Sequence, residues 1–276
     1  MAKIGFMQGR LSPLVEGKIQ AFPWLHWQSE FELAQKYGFE LMEWTIDLKT
    51  LEENPLMTHE GRQQIKDLCS QFGIVVHSLT GDCFMQAPFW KLEGSQRQSQ
   101  LVQMKAVLIA AASLKISYVV VPLVDNGSLE NQRQIDSLYQ GIAGILPILR
   151  DCNLKLVFES DFCANGLLKL ISSLDSRYFG INYDIGNSAA LDYDPEIEIA
   201  NYGAYIKNVH VKDRLLGGTT VPLGQGHANL PLVFKLLKEA DYQGQYILQT
   251  ARAINDDHGV VLCEYRDLVQ QLIANA

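Results

Sequence analysis

A single (β/α)8 barrel, of α/β class, is predicted for this 276-residue chain by three features. Eight short β-rich segments recur along it, each followed by a longer stretch whose apolar residues fall at helical spacing. The length suits one large α/β unit, because barrels of this kind run to about 250 residues as one domain. MQGRLSP, which follows the first strand, lacks the G-x-G-x-x-G turn that an open doubly wound sheet usually carries.

In chain order the strands are KIGFMQ (3–8), FELMEWT (39–45), GIVVHSL (73–79), SYVVVPLV (117–124), KLVFES (155–160), FGINYDI (179–185), KNVHVK (207–212) and QYILQT (245–250). Between them, apolar residues share one helical face, as with Leu138, Ile142, Ile145, Leu146 and Leu149, or Leu232, Phe234, Leu236, Leu237 and Ala240. Leu262, Tyr265, Leu268, Val269 and Leu272 mark the last helix. Each crossover helix must cover the outside of its strand, so eight alternations close a parallel sheet on itself. No linker or low-complexity tract interrupts the pattern, and residues 1–276 read as one domain.

Hydrophobic residues make up 47% and charged residues 20%, a balance that sets aside long disorder. The longest apolar runs, such as VVVPLV at 119–124, fall far short of the roughly 20 residues of a membrane span. The opening MAKIGFMQGR lacks the marks of a secretory signal, so a cytoplasmic location is expected. Five cysteines without a C-x-x-C pair suggest neither a disulfide framework nor a thiolate zinc site. A formal charge of −8 argues against nucleic acid as a partner.

Alternate side chains of a barrel strand point inward, and active sites form at the strands' C-terminal ends. Val157 and Glu159 share one face, as do Asn182 and Asp184, then Asn208, His210 and Lys212, and finally Ile247 and Gln249. Glu159, Asp184, His210 and Gln249 are therefore expected at one level. Carboxylates and an imidazole converging from neighbouring strands suit a divalent cation. Taken singly, each has a structural explanation: an ion pair for Glu159, a loop cap for Asp184, a hydrogen-bonded core position for His210. Four inward polar residues at matching depth are costly to bury without a shared purpose.

FES around Glu159, YDIGN around Asp184, NVHVKD around His210, and PLGQG (222–226) followed by a helix and GQYIL occur in this order. In this combination the chain resembles the sugar phosphate isomerases and epimerases of the xylose isomerase-like TIM barrels, over nearly its whole length. The resemblance implies Glu159, Asp184 and His210 as ligands of one divalent ion, whether Mn, Zn, Co or Mg. It also implies a second glutamate on the last strand, where this chain has Gln249. An amide oxygen can serve a cation, but it cannot take up and return a proton as a carboxylate can. Weaker metal retention than in four-ligand relatives is expected, with Glu159 as the chief acid/base and Gln249 as fourth ligand.

Further groups are expected around the substrate. Glu43 and His77 could hold sugar hydroxyls, and Lys212 could polarise a carbonyl or steady an anion. Arg10, Arg214 and Arg252 lie just beyond strand ends and could take a phosphate. Gly224 and Gly226 could add backbone N–H groups, and Trp24, Trp27, Trp44, Phe84 and Trp90 could stack on a sugar face.

The expected activity is metal-dependent isomerisation or epimerisation of a sugar or sugar phosphate through a metal-stabilised enediolate. Dehydration of a polyhydroxy carbonyl compound is the alternative enzyme reading. A non-catalytic sugar-binding barrel is the alternative outside enzymes. An endonuclease IV-like site fits poorly with only six histidines. Barrels of this kind often form homo-oligomers, and the sequence neither requires nor excludes it.

Overall fold

The computed structural model describes residues 3–276. Eight parallel strands close into a barrel: Lys3–Met7, Leu41–Ile46, Val75–Gly81, Tyr118–Leu123, Lys155–Ser160, Phe179–Asp184, Ile206–Val211 and Gln245–Leu248. The eighth pairs with both the first and the seventh, so the barrel has no free edge. These strands agree with the sequence expectation to within about two residues at each end. A two-residue ribbon that the sequence reading did not anticipate, Asp213–Arg214 against Thr220–Val221, stands above the seventh strand.

Helices cover the outside, among them Ser29–Lys36, His59–Phe72, Gly94–Ser113, Ala164–Ser172, Pro195–Tyr202, Leu230–Glu239 and His258–Asn275. The apolar run from Leu138 to Leu149 is two helices rather than one, Gln132–Ala143 and Leu146–Cys152. Gly144 interrupts the first, and Pro147 opens the second, where its missing N–H has no cost. Outward-facing strand residues such as Phe6, Trp44, Leu79, Phe158, Val209 and Leu248 form the main core against these helices. Inside the barrel, Met7, Leu41 and Ile247 form a small apolar cluster of their own.

Beside that cluster the interior is polar and hydrogen-bonded. Gln245 Nε2 donates to Ser78 Oγ and Asn208 Oδ1, and Asn208 Nδ2 donates to Asn182 Oδ1 and Glu43 Oε2. Buried polar groups survive when paired in this way.

Two register shifts decide which residues face this interior. Met42 pairs with Val76 but Glu43 with Ser78, which leaves His77 as the extra residue of a bulge. His77, the third residue of its strand, stands near the N-terminal end of the barrel, away from Glu159, packed edge-on against Tyr118 in a cavity shared with Lys3 and Gln245. It does not reach the sugar hydroxyls expected for it. A second shift skips Lys207, so that Asn208 and His210 pair with Asn182 and Asp184.

Candidate active site

Glu159, Asp184 and His210 converge at the C-terminal ends of the fifth to seventh strands, and one ligand atom from each lies within 4.8 Å of the others. All three are buried. Asp184 ends its strand and caps the short helix Ile185–Ala190, with Oδ1 accepting the Asn187 N–H at 2.8 Å. The capping role and the site role thus coexist, because Oδ2 stays directed to the site and takes Lys212 Nζ at 2.7 Å.

Asn187 also donates from Nδ2 to Glu159 Oε1 at 2.7 Å, while Asn182 Nδ2 donates to Oε2 at 2.9 Å. Each oxygen of Glu159 thus receives an amide N–H, which fixes the plane of the carboxylate. Asn187 Oδ1 accepts from Arg214 Nη1 at 2.7 Å. The sequence reading assigned neither asparagine a role. For Asn182 the inward alternation was a usable signal, whereas Asn187 lies on a short helix that strand periodicity does not reach.

His210 is held from below. Its Nε2 is 2.7 Å from Glu43 Oε1, and Glu43 also accepts from Thr80 Oγ1 at 2.6 Å and Asn208 Nδ2 at 2.9 Å. Glu43 is fully buried beneath the imidazole and does not reach the substrate space expected for it. Its work is to orient the ring, leaving Nδ1 aimed at the site, 3.2 Å from Glu159 Oε2 and 3.0 Å from Asn182 Nδ2.

Burial disfavours charge on His210, but Glu43 and Glu159 outweigh it and push the imidazole up to about 10. Burial would likewise raise Glu43, yet His210, Ser78 and Thr80 hold its carboxyl below the usual range. The site therefore favours positive charge at Nδ1, where a proton or a cation can supply it.

Gln249 lies just beyond the eighth strand. Ile247 pairs with His210, so Gln249 stands two residues higher on the same face rather than at the level of the ring. Its Nε2 donates to Gln20 Oε1 at 2.7 Å, while its Oε1 is buried without a hydrogen-bond partner among the described residues. A buried amide oxygen without a donor is costly unless something else meets it. Two carboxylates, a Glu43-oriented imidazole nitrogen and this orphaned oxygen fit a hard divalent cation.

The remaining sequence candidates divide sharply. Lys212 belongs to the site, its side chain 12% exposed against Asp184. Arg214 reaches the rim through Asn187, with Nε and Nη2 spent on Gly218 O. Arg10 and Arg252 are loop clamps. Arg10 donates to Thr250 O and Ile19 O, and Arg252 to Gly9 O and Ser12 O. Glu30 completes the clamp by accepting from the Gly9 and Leu11 N–H groups. The PLGQG amides are also committed, since Asp213 accepts from Gly224, Gly226 and Ala228 and so occupies the expected anion nest. Of the aromatic candidates, Trp27, Trp44, Phe84 and Trp90 are core residues, and Trp24 stays at the surface.

A family model described as xylose isomerase-like TIM barrel matches residues 31–262. L-ribulose-5-phosphate 3-epimerase UlaE of Escherichia coli is 24% identical over 258 residues, covering 91% of each chain. D-psicose 3-epimerase of Clostridium cellulolyticum H10, solved with D-tagatose, superposes with a TM-score of 0.75 at 11% identity, over 98% of this chain and 99% of that one. A xylose isomerase-like TIM barrel protein of Mycobacterium smegmatis in complex with magnesium gives 0.72 at 15% identity, over 100% and 98%. With the closed eight-stranded barrel and the match over residues 31–262, the chain belongs to the xylose isomerase-like TIM barrel family.

Proposed function

We propose that this protein is an isomerase or epimerase acting on a sugar or sugar phosphate, working with one divalent cation held by Glu159, Asp184, His210 and Gln249. The observation that carries the reading is the convergence of Glu159, Asp184 and His210 within 4.8 Å at the strand ends, with His210 turned toward them by Glu43. The epimerase names of relatives matched along the chain support the substrate class. A cation bound there would supply Lewis acidity to neighbouring carbonyl and hydroxyl oxygens.

The residues divide the remaining work. Glu159, fixed by two amide donors, removes the proton from the carbon beside the substrate carbonyl. Lys212 presents N–H donors beside Asp184 to the oxygen that gains charge. Gln249 cannot exchange protons. A transfer confined to one face, as in aldose–ketose isomerisation, needs Glu159 alone, whereas inversion at carbon needs a donor on the other face, for which Lys212 is the candidate.

The test is proton NMR in D2O, with Mn2+, Mg2+, Co2+ or Zn2+ added and a panel of ketoses, aldoses and their phosphates. Solvent deuterium entering at the carbon beside the carbonyl, with molecular formula otherwise conserved, is the expected result. Loss of water from the substrate, or no exchange with any member of the panel, would sink the proposal.

A further inference from the structure

An acidic residue elsewhere on the barrel mouth is joined to the Gln249 amide through one glutamine. Asp82 follows the third strand and begins the short helix Asp82–Gln86. It is 9% exposed, and its Oδ2 accepts from Gln20 Nε2 at 2.7 Å. Gln20 belongs to the loop after the first strand, and its other end, Oε1, accepts from Gln249 Nε2, also at 2.7 Å. Three residues from the first, third and eighth βα connections thus form one hydrogen-bonded line.

The line has a direction set by chemistry. An ionised carboxylate only accepts hydrogen bonds, whereas a primary amide donates from one end and accepts at the other. Asp82 therefore requires the NH2 end of Gln20, which leaves the Gln20 oxygen to face Gln249. That oxygen in turn requires the NH2 end of Gln249. The Gln249 oxygen is left pointing away from Gln20, and it is the buried oxygen that has no partner among the described residues. Reversing any member would set two N–H groups or two oxygens against each other.

We propose that Asp82 and Gln20 are positioning residues that turn the Gln249 oxygen toward the cation site, so that a neutral amide serves as a directed oxygen donor. This rests on the functional reading above only for the identity of what the oxygen meets. A carboxylate at position 249 would not need the device, because it offers oxygen on both sides. The relay is thus a structural counterpart of having glutamine on the eighth strand.

The experiment is Mn2+ titration by calorimetry at pH 8. Burial and Asp47 push Asp82 up to about 7, so at this pH its carboxylate is mostly ionised. Gln20→Met removes the relay without changing charge. With Gln249 in place it is expected to weaken Mn2+ binding by about 10–100-fold, the usual effect of losing a ligand's supporting partner. In the Gln249→Glu background the same change is expected to cost less than about threefold, so the two substitutions are non-additive. Asp82→Asn is expected to cost more with Gln20 present than in the Gln20→Met background, a comparison that subtracts the long-range effect of the lost charge. Equal losses from Gln20→Met with and without Gln249→Glu would overturn the relay.

Selective 15N labelling of glutamine tests the relay without metal. The Gln249 side-chain NH2 is expected to be protected from exchange in the wild type and to lose that protection in Gln20→Met. Retained protection in that variant would also overturn it. Wild-type protein that takes up no Mn2+ yet shows this pattern would sink the metal reading alone.

Discussion

Glu43 Oε1 and His210 Nε2 meet at 2.7 Å with both side chains fully buried, and this contact decides which face of the imidazole the site receives. The two residues are 167 positions apart in the chain. With Nε2 committed to Glu43, only Nδ1 can look toward Glu159 and Asp184. Replacing Glu43 by Gln keeps the shape but removes the acceptor-only partner. Divalent cation affinity should fall by about 10–100-fold although no ligand is altered, as titration calorimetry would register. An unchanged affinity would mean that the ring is oriented by something else.

The charge on His210 predicts a pH dependence. Its ordinary value of 6.5 is raised to about 10 in the metal-free fold. Stability from this group is therefore complete below about pH 6.5 and is lost as pH climbs through 10. Chelator-treated protein should show this decline in denaturant melts, once the background of a His210→Asn variant is subtracted.

Cation binding displaces the same proton. Between pH 7 and 9 the apparent affinity should rise by about tenfold per pH unit, the slope for one proton released. Calorimetry in buffers of different ionisation enthalpy counts that proton directly. A flat affinity across this range would show that Nδ1 is not a ligand.

Glu159→Gln retains the shape of the acid/base group but cannot accept the proton. Substrate-dependent deuterium exchange should drop by about 10²–10⁴-fold, with smaller effects on substrate binding. The measurement is NMR exchange in D2O beside a binding isotherm. Exchange at the wild-type rate would assign the base elsewhere.

Arg252→Lys tests the clamp on the first loop. A lysine cannot span the carbonyls of Gly9 and Ser12 together, as the arginine fork does. A loss of about 1–3 kcal/mol in unfolding free energy is expected. Inorganic phosphate should not protect the wild type more than the variant, because this guanidinium already serves backbone oxygens.

Strand and helix alternation, and the inward placement of Glu159, Asp184 and His210, were legible in the sequence because they follow from local periods of two and 3.6 residues. What the sequence left open was pairing. His77 shared its strand's pattern with true inward residues, yet the strand runs on to Gly81, which leaves His77 near its start, and a bulge fixed by the neighbouring strand takes it out of the pairing. Arg10 and Arg252 had the chemistry of phosphate ligands, but backbone carbonyls brought close by folding already take two donors of each, that of Thr250 lying 240 residues from Arg10. Gly224 and Gly226 looked like an anion nest until Asp213 filled it.

The eighth strand shows the division most clearly. By itself the chain determined that residue 249 is an amide, which removes it as a base whatever surrounds it, because protonation chemistry belongs to the side chain. Only the tertiary structure decided where that amide's oxygen points. Orientation comes from donor and acceptor partners, and Gln20 and Asp82 reach Gln249 through contacts that no local pattern encodes.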